Sequence, residues 1–187
     1  MNPLRQVGDQ KAANETPWSS SQRIGILLWH FAWPLLCGWT PKPLNRWRLF
    51  VLRRFGTKIH GRPFVHQRAR IQIPWNLTLH NRATLGDRAN VYSLAPVEIA
   101  AHATIAQEAY LCTGTHDFER STLNLLVGEI EIGEYAFVGA RAFVMPGVKI
   151  GDRAVIGACS VVTRDVDDGA IVAGNPARKL GQRSAGG

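Results

Sequence analysis

The sequence has only three cysteines, Cys37, Cys112 and Cys159, far apart and without CxxC spacing. That excludes a disulfide framework and a cysteine zinc motif, and it favours a reducing cytoplasm. Long hydrophobic runs are missing too. The most apolar stretch, Ile24 to Trp39, is 16 residues and contains His30 and Pro34, short of the roughly 20 residues that a membrane span needs. The first twenty residues are polar, which predicts no secretory leader. Acidic residues are scarce in one third of the chain. Residues 1–62 hold ten Lys and Arg against Asp9 and Glu15, a surplus of +8, whereas residues 63–187 hold 12 bases and 12 acids. The surplus accompanies no helix-turn-helix, RNA-recognition or zinc-finger pattern, so nucleic acid is not the expected partner. With 45% hydrophobic and 19% charged residues the chain can build a sizeable core.

Residues 1–22 read as a polar, mobile arm. From Arg23 the spacing of Ile24, Leu27, Leu28, Phe31 and Leu35 predicts a helix, with Ser21 as its cap. TPKPLN (40–45) breaks it. A second helix, 46–55, interleaves Trp47, Leu49, Phe50, Leu52 and Phe55 with Arg46, Arg48, Arg53 and Arg54. Two readings of this basic amphipathic segment, 23–57, stand side by side: contact with an anionic membrane surface, or a helical cap on one end of the main domain.

From Val65 onward a repeat dominates. Aliphatic residues recur every six positions: Val65, Ile71; Leu79, Leu85, Val91; Ile99, Ile105, Leu111; then Ile132, Val138, Val144, Ile150, Ile156 and Val162. Four residues after each stands a residue no bulkier than valine, Trp75 excepted, and glycine follows the aliphatic at 86, 133, 139, 151 and 157. Six residues make one short strand and a turn, and three such units make one triangular coil, so the aliphatics stack into interior columns. The fold class is an all-β main domain, a left-handed parallel β-helix over 58–166, with an N-terminal helical segment. Two elements leave the repeat: a loop over 113–129, and a tail, 167–187, whose residues Asp167 to Leu180 end the stack.

These features resemble the hexapeptide-repeat acyltransferases that acetylate sugar hydroxyls from acetyl-CoA, through CTGTHDF (112–118), VGARAFVMPGVKIGDRAVIGACSVVTRDV (138–166) and AGNPARKL (173–180). The segments PKPLNRWRLFVLRRFGTKI (41–59) and IPWNLTL (73–79) look like the colanic-acid biosynthesis acetyltransferases. The resemblance implies acetyl transfer to a sugar in an exopolysaccharide precursor by direct attack in a ternary complex, without an acyl-cysteine. His116 is the expected general base, since a histidine of ordinary pKa accepts a proton near neutrality. Glu108 is a possible orienting group for it. Asn90, Tyr92 and Ser93 on the preceding coil and Asp117 in the loop are the acceptor-side residues, with a plain solvated carboxylate an equal reading of Asp117. The Ala140 amide, in Gly139–Arg141, is the oxyanion donor. Gly139, Gly157, Ala158 and Ser160 line the pantetheine edge, although corner packing alone would select such small residues. Thr163, Arg164, Arg178 and Lys179 face the nucleotide end, where arginine suits phosphate.

The family assembles as homotrimers with the site between prisms, uses no metal, and implies a sugar or lipid-linked glycan acceptor. The location expected is cytoplasmic, peripheral on the inner face of the membrane. Competing acceptors are a free sugar, a serine or an oligosaccharide, and the competing class is a non-enzymatic β-helix scaffold. A γ-type carbonic anhydrase fits poorly, because His80, His102 and His116 are 22 and 14 residues apart and no HxxxxH occurs.

Overall fold

The protein is represented by a computed structural model that describes residues 3–8 and 16–184. The expected mobile arm and the end of the expected tail lie partly outside these residues.

The aliphatic repeat winds into a left-handed triangular prism with three parallel sheets as faces. The first face stacks Lys58–Ile59, Leu77–Leu79, Val97–Ile99, Ile130–Ile132 and Lys149–Ile150. The second stacks Phe64–Val65, Thr84–Leu85, Thr104–Ile105, Phe137–Val138, Val155–Ile156 and Ala170–Gly174. Arg70–Ile71, Asn90–Tyr92, Tyr110–Cys112, Phe143–Val144 and Val161–Val162 form the third. Register is set by the inward aliphatics: Val65, Leu85, Ile105, Val138, Ile156 and Val172 make one column, all buried. The stack starts one strand earlier than the sequence repeat, at Ile59 on the first face, and runs two strands further. Val166 bridges to Ile150, and Ile171–Val172 pair with Val155–Ile156 before Ala177–Gln182 returns antiparallel. The tail therefore adds a layer to the stack before ending it.

The two-residue phase slips fall on one corner, between the third and first faces. There Pro74–Asn76 forms a 3₁₀ turn and Ser93–Pro96 widens the next coil. Elsewhere the corners turn through a left-handed residue three positions after the aliphatic: Arg82, Arg88, His102, Glu108, Tyr135, Arg141, Arg153 and Cys159 all have φ between 54° and 62°. At these eight corners a non-glycine residue takes that conformation, and Gly147 and Gly169 take it three positions after Val144 and Val166. The glycine directly after the aliphatic serves close approach instead: a Cβ on Gly139 would lie 2.6 Å from the Ile156 carbonyl oxygen and 2.7 Å from the Ala158 nitrogen on the next coil.

A parallel stack leaves an open strand edge at its first coil, a site for unwanted pairing. The helices α1 (Ser20–Leu36) and α2 (Asn45–Arg54) cover it. Trp29 Nε1 donates to the Ile71 carbonyl at 2.6 Å and Trp33 Nε1 to Ala69 at 2.9 Å. Asn45 acts as a substitute strand, donating to the Pro63 carbonyl at 2.8 Å and accepting from the Val65 amide at 3.1 Å. Arg48 Nε adds a bond to the Val65 carbonyl at 2.8 Å. α1 starts three residues before the expected Arg23 because Ser19, not Ser21, caps it: Ser19 Oγ accepts from the Gln22 amide and Gln22 Oε1 accepts from the Ser19 amide. Among the described residues no helix is long and apolar enough to cross a membrane. Trp29→Phe keeps an aromatic ring but trims its volume and strands the Ile71 carbonyl. It should lower stability by about 1–2 kcal/mol, read as an earlier urea midpoint at unchanged m-value.

Candidate active site

The expected loop 113–129 contains a hairpin, Gly114–His116 against Leu125–Val127, with Arg5–Gln6 pairing on its outer edge. It leaves the prism at the corner that carries the phase slips, and side chains tie it down. Thr113 Oγ1 donates to the Tyr92 carbonyl at 2.6 Å and accepts from the Ala95 amide at 3.0 Å. A small second core of Ile73, Leu94, Ala95, Leu125 and Val127 lies beneath it, with Trp18, Trp75 and Tyr92 packed alongside.

His116 ends the first hairpin strand and is exposed. Its Nδ1 lies 2.7 Å from the Leu123 carbonyl oxygen. A carbonyl can only accept, so Nδ1 carries the proton and Nε2 keeps its lone pair for another partner. Leu123 presents that oxygen from a left-handed backbone with φ +47°, a conformation a branched side chain adopts at a cost of about 1–2 kcal/mol. Side chains two apart on a strand share a face. A Cβ on Gly114 would point at Leu94 and, 3.3 Å away, at the Tyr92 ring, so the imidazole projects on the side that overlooks Tyr92.

Asn90 and Tyr92 line a cleft of about 480 Å³ between the third face and α1, together with Arg70, Tyr110, Trp29 and Trp33. Tyr92 and Tyr110 pack edge to face, as do Tyr110 and Phe143. Burial raises the Tyr92 phenol above its ordinary value and pushes Tyr110 up to about 12, so both stay protonated at neutral pH. Ser93 leaves the acceptor set. It is fully buried, and its hydroxyl donates to the Ile73 carbonyl and accepts from the Ile73 amide at 2.9 and 3.0 Å, locking the widened corner. Asp117 works inside the hairpin tip, where its carboxylate accepts from the Glu119 amide at 3.1 Å and pairs with Arg120 at 3.4 Å.

Glu108 does not contact the imidazole, whose Nδ1 meets the Leu123 carbonyl instead. Glu108 sits on a different corner, held by Arg141 Nε at 2.6 Å and Arg88 Nη1 at 3.6 Å. The hydrogen bond from Arg141 holds its carboxyl below the usual carboxylate range. Glu108, Arg88 and Arg141 all occupy left-handed corner positions, which explains why they stack.

Ala140 lies on that same corner. Its carbonyl accepts from Cys159 N at 2.9 Å, while its own amide has no acceptor among the described residues. At the corner between the first and second faces the equivalent amides are closed by side chains: Asn81 accepts from Arg62 N, Asp152 from Glu134 N and Asp168 from Asp152 N. Alanine at 140 and 158 supplies no such acceptor, which leaves one corner of the prism lined with open donors. Gly157 meets the next coil at Ala173, and the buried Ser160 accepts from Gly174 N at 3.1 Å. Both thus serve the packing of the corner. Thr163, Arg164, Arg178 and Lys179 come together in one cleft of about 270 Å³ at the C-terminal end of the prism, beside Asp165 and Asp167. Burial raises the Cys112 thiol, which disfavours a thiolate nucleophile there. Among the described residues no three His, Cys, Asp or Glu side chains converge as a metal set. His80 pairs with Glu98 and His102 stacks on Tyr135. Sequence reasoning missed the Leu123 carbonyl and Asn124, which is buried with its Oδ1 unpartnered beside it. A backbone oxygen leaves no sequence signal, and an asparagine in a polar loop looks solvated.

Prisms of this kind occur in several solved acetyltransferases. The hexapeptide-repeat acetyltransferase VCA0836 of Vibrio cholerae superimposes with a TM-score of 0.79 at 21% identity, covering 89% of this chain and 94% of the other. A galactoside acetyltransferase in complex with coenzyme A gives 0.79 at 19% identity over 90% and 86%. At these identities the likeness establishes the fold. Residues 129–164 match the family described as bacterial transferase hexapeptide (six repeats). Nearly the whole length is accounted for by a protein named as a colanic acid biosynthesis acetyltransferase, WcaF of Escherichia coli (strain K12), 39% identical over 160 residues that cover 86% of this chain and 88% of the relative. That span takes in prism, hairpin and part of the helical cap together, and on it the chain belongs to the hexapeptide-repeat acetyltransferases, among the relatives of WcaF.

Proposed function

We propose that the protein transfers an acetyl group from acetyl-CoA to a sugar hydroxyl of an exopolysaccharide precursor carried on a lipid, acting as a homotrimer. The observation that carries the reading is the His116 imidazole, fixed through Nδ1 and open at Nε2 on the side that overlooks Tyr92. Nε2 takes the proton of the acceptor hydroxyl as its oxygen attacks the thioester carbonyl. The oxyanion that forms accepts a hydrogen bond from the Ala140 amide. Collapse of the tetrahedral intermediate breaks the C–S bond, and the imidazolium returns its proton to the departing thiolate. The ester keeps the acetyl group, and CoA leaves as the thiol.

His116 and Ala140 flank opposite corners of the third face. A face of about five extended residues spans on the order of 15 Å, too far for one thioester to touch both. A second prism, bringing its Ala140 corner against this hairpin, removes the discrepancy, which is the reason for the trimer in the proposal. Asn90 and Tyr92 are the acceptor contacts. The open amide at 158 suits the amide-bearing pantetheine arm, and Thr163, Arg164, Arg178 and Lys179 suit the nucleotide end of CoA. WcaF supports the exopolysaccharide setting, and the CoA complex of the galactoside enzyme supports the donor.

Incubation with labelled acetyl-CoA and undecaprenyl-linked sugars tests the proposal: labelled glycolipid is expected, and transfer confined to free sugars or serine would overturn the carrier. Arg178→Ala should raise the KM for acetyl-CoA about tenfold with kcat within a factor of two, the effect of one lost charge-assisted phosphate contact.

A further inference from the structure

α1 has two apolar sides, and the fold uses one. Trp29, Trp33 and Cys37 face the prism and are buried, whereas Ile24, Leu27, Leu28, Phe31 and Leu35 face out, each between 57% and 70% exposed. A helix that only caps a stack would be polar on its outer side. Beyond α1 the apolar surface continues with Trp39, 69% exposed, and with Trp47 and Phe50, which stack at 5.6 Å on the outer side of α2. Arg23, Lys42, Arg46, Arg53 and Arg54 are exposed around it. No acidic residue occurs anywhere from Thr16 to Gly86.

We propose that this outer side of α1 and α2 docks flat on an anionic lipid bilayer, with Leu27, Leu28, Phe31 and Leu35 entering the headgroup boundary. Three features select a bilayer. The helices cannot span one, so they lie in its plane. Exposed tryptophan beside arginine suits the interface, where one end of the ring is dry and the other wet. The basic rim complements anionic headgroups, while a second copy of the same face would set like charge against like. The inference rests on the lipid-carried acceptor of the proposed function and gives it a geometry. The cleft holding Asn90 and Tyr92 is walled by Trp29, His30 and Trp33 of the docking helix itself. A carrier anchored in the bilayer would bring its sugar to that cleft, and the exposed Arg70 in its lining is a match for the linking phosphate.

Deleting the helices would not test this, because it also uncovers the strand edge that Trp29, Trp33 and Arg48 protect. The test uses the full chain with vesicles of phosphatidylethanolamine and phosphatidylglycerol (3:1), and of phosphatidylcholine alone, in a sedimentation assay. Wild type is expected to bind the anionic vesicles and to release in high salt. Arg53→Gln with Arg54→Gln should weaken binding about 30-fold, and the fourfold variant Leu27→Gln, Leu28→Gln, Phe31→Gln, Leu35→Gln more than about 100-fold. Both variants should keep the wild-type oligomeric state and the wild-type rate of acetyl transfer to a soluble saccharide. Docking is overturned if wild type stays in the supernatant, if the fourfold variant sediments like wild type, or if that variant changes oligomeric state, which would assign the face to a second copy. Vesicle binding without acetyl transfer to any sugar would overturn the proposed function and leave docking intact; acetyl transfer without vesicle binding would do the reverse.

Discussion

His116→Asn is expected to lower kcat for acetyl transfer about 10³-fold while the affinity for acetyl-CoA stays within twofold. Removal of a general base costs on the order of 10²- to 10⁴-fold, and asparagine separates that cost from a structural one. Its side-chain amide can occupy the place of Nδ1–H and donate to the Leu123 carbonyl, the bond of 2.7 Å that ties the imidazole to the returning side of the hairpin. What asparagine lacks is any basic nitrogen where Nε2 stood. Release of CoA thiol followed with a thiol reagent gives kcat, and calorimetric titration with CoA gives binding. A variant that turns over within tenfold of wild type sinks the assignment. A variant that loses both turnover and CoA binding points instead to a collapsed hairpin. His116→Gln sharpens the comparison, because its amide reaches toward the Nε2 position and abandons Leu123. If the imidazole acts as a base, both variants are slow. If its task is only to hold the hairpin, the asparagine variant alone is active.

The parts of this protein that were legible in the sequence are those where one physical demand acts on every coil. An interior column accepts only aliphatics, so Val65, Leu85 and Ile105 announce their register. A corner within 3 Å of the next coil's backbone accepts only glycine or little more, as at Gly139. The phase slips were visible as well, although not that both widen the corner from which the hairpin leaves. The clustering of Thr163, Arg164, Arg178 and Lys179 came from a resemblance and proved to share a cleft. What stayed hidden were demands made once, or made on backbone. Nothing in the identities of Arg88, Glu108 and Arg141 marks them as left-handed corner residues, so their mutual ion pairs were invisible and Glu108 read as a possible orienting group for His116. Ser93 resembled a polar site residue and is a buried bracket. α1 carries apolar stripes on two sides, so its periodicity could not say which side packs. Of the two readings of this segment, the cap is the one the contacts display. Trp29 and Trp33 cap the stack, and the opposite stripe stays exposed, the face on which the proposed docking rests.

Arg48 is the residue whose sequence reading and structural position differ most, and its replacement should have the largest effect on stability. In the sequence it is one of four arginines interleaved with apolar residues, a pattern that suits a membrane surface. In the fold it is fully buried beneath α2, with Nε on the Val65 carbonyl at 2.8 Å, Nη1 on Thr40 Oγ1 and the Pro41 carbonyl at 2.9 Å each, and Nη2 on the Lys42 carbonyl at 3.1 Å. Among the described residues no carboxylate pairs with it. Desolvation pulls its pKa down from the ordinary arginine value, which lies so high that the group remains charged at neutral pH. Two terms then oppose each other in Arg48→Met. Removing a buried cation relieves a desolvation penalty, and exchanging buried ions for apolar side chains can stabilise a protein. Here the acceptors are mainly backbone carbonyls that no substitution removes, so methionine strands them, including the one at the open strand edge. Stranded acceptors cost about 1–3 kcal/mol each when dry. The Pro41 and Lys42 bonds are only partly buried, so water can replace Arg48 there, which brings the expected net loss to about 3 kcal/mol. For a chain of this size that lowers Tm by about 8 °C, with aggregation on heating as the uncovered edge pairs with other chains. Scanning calorimetry decides between the two terms: a Tm within 2 °C of wild type, or above it, would mean that desolvation dominates and that the strand edge is held without Arg48. Arg48→Lys, which keeps the charge and loses the fork, should fall between methionine and wild type if the hydrogen bonds are what matters, and below methionine if burial of charge is.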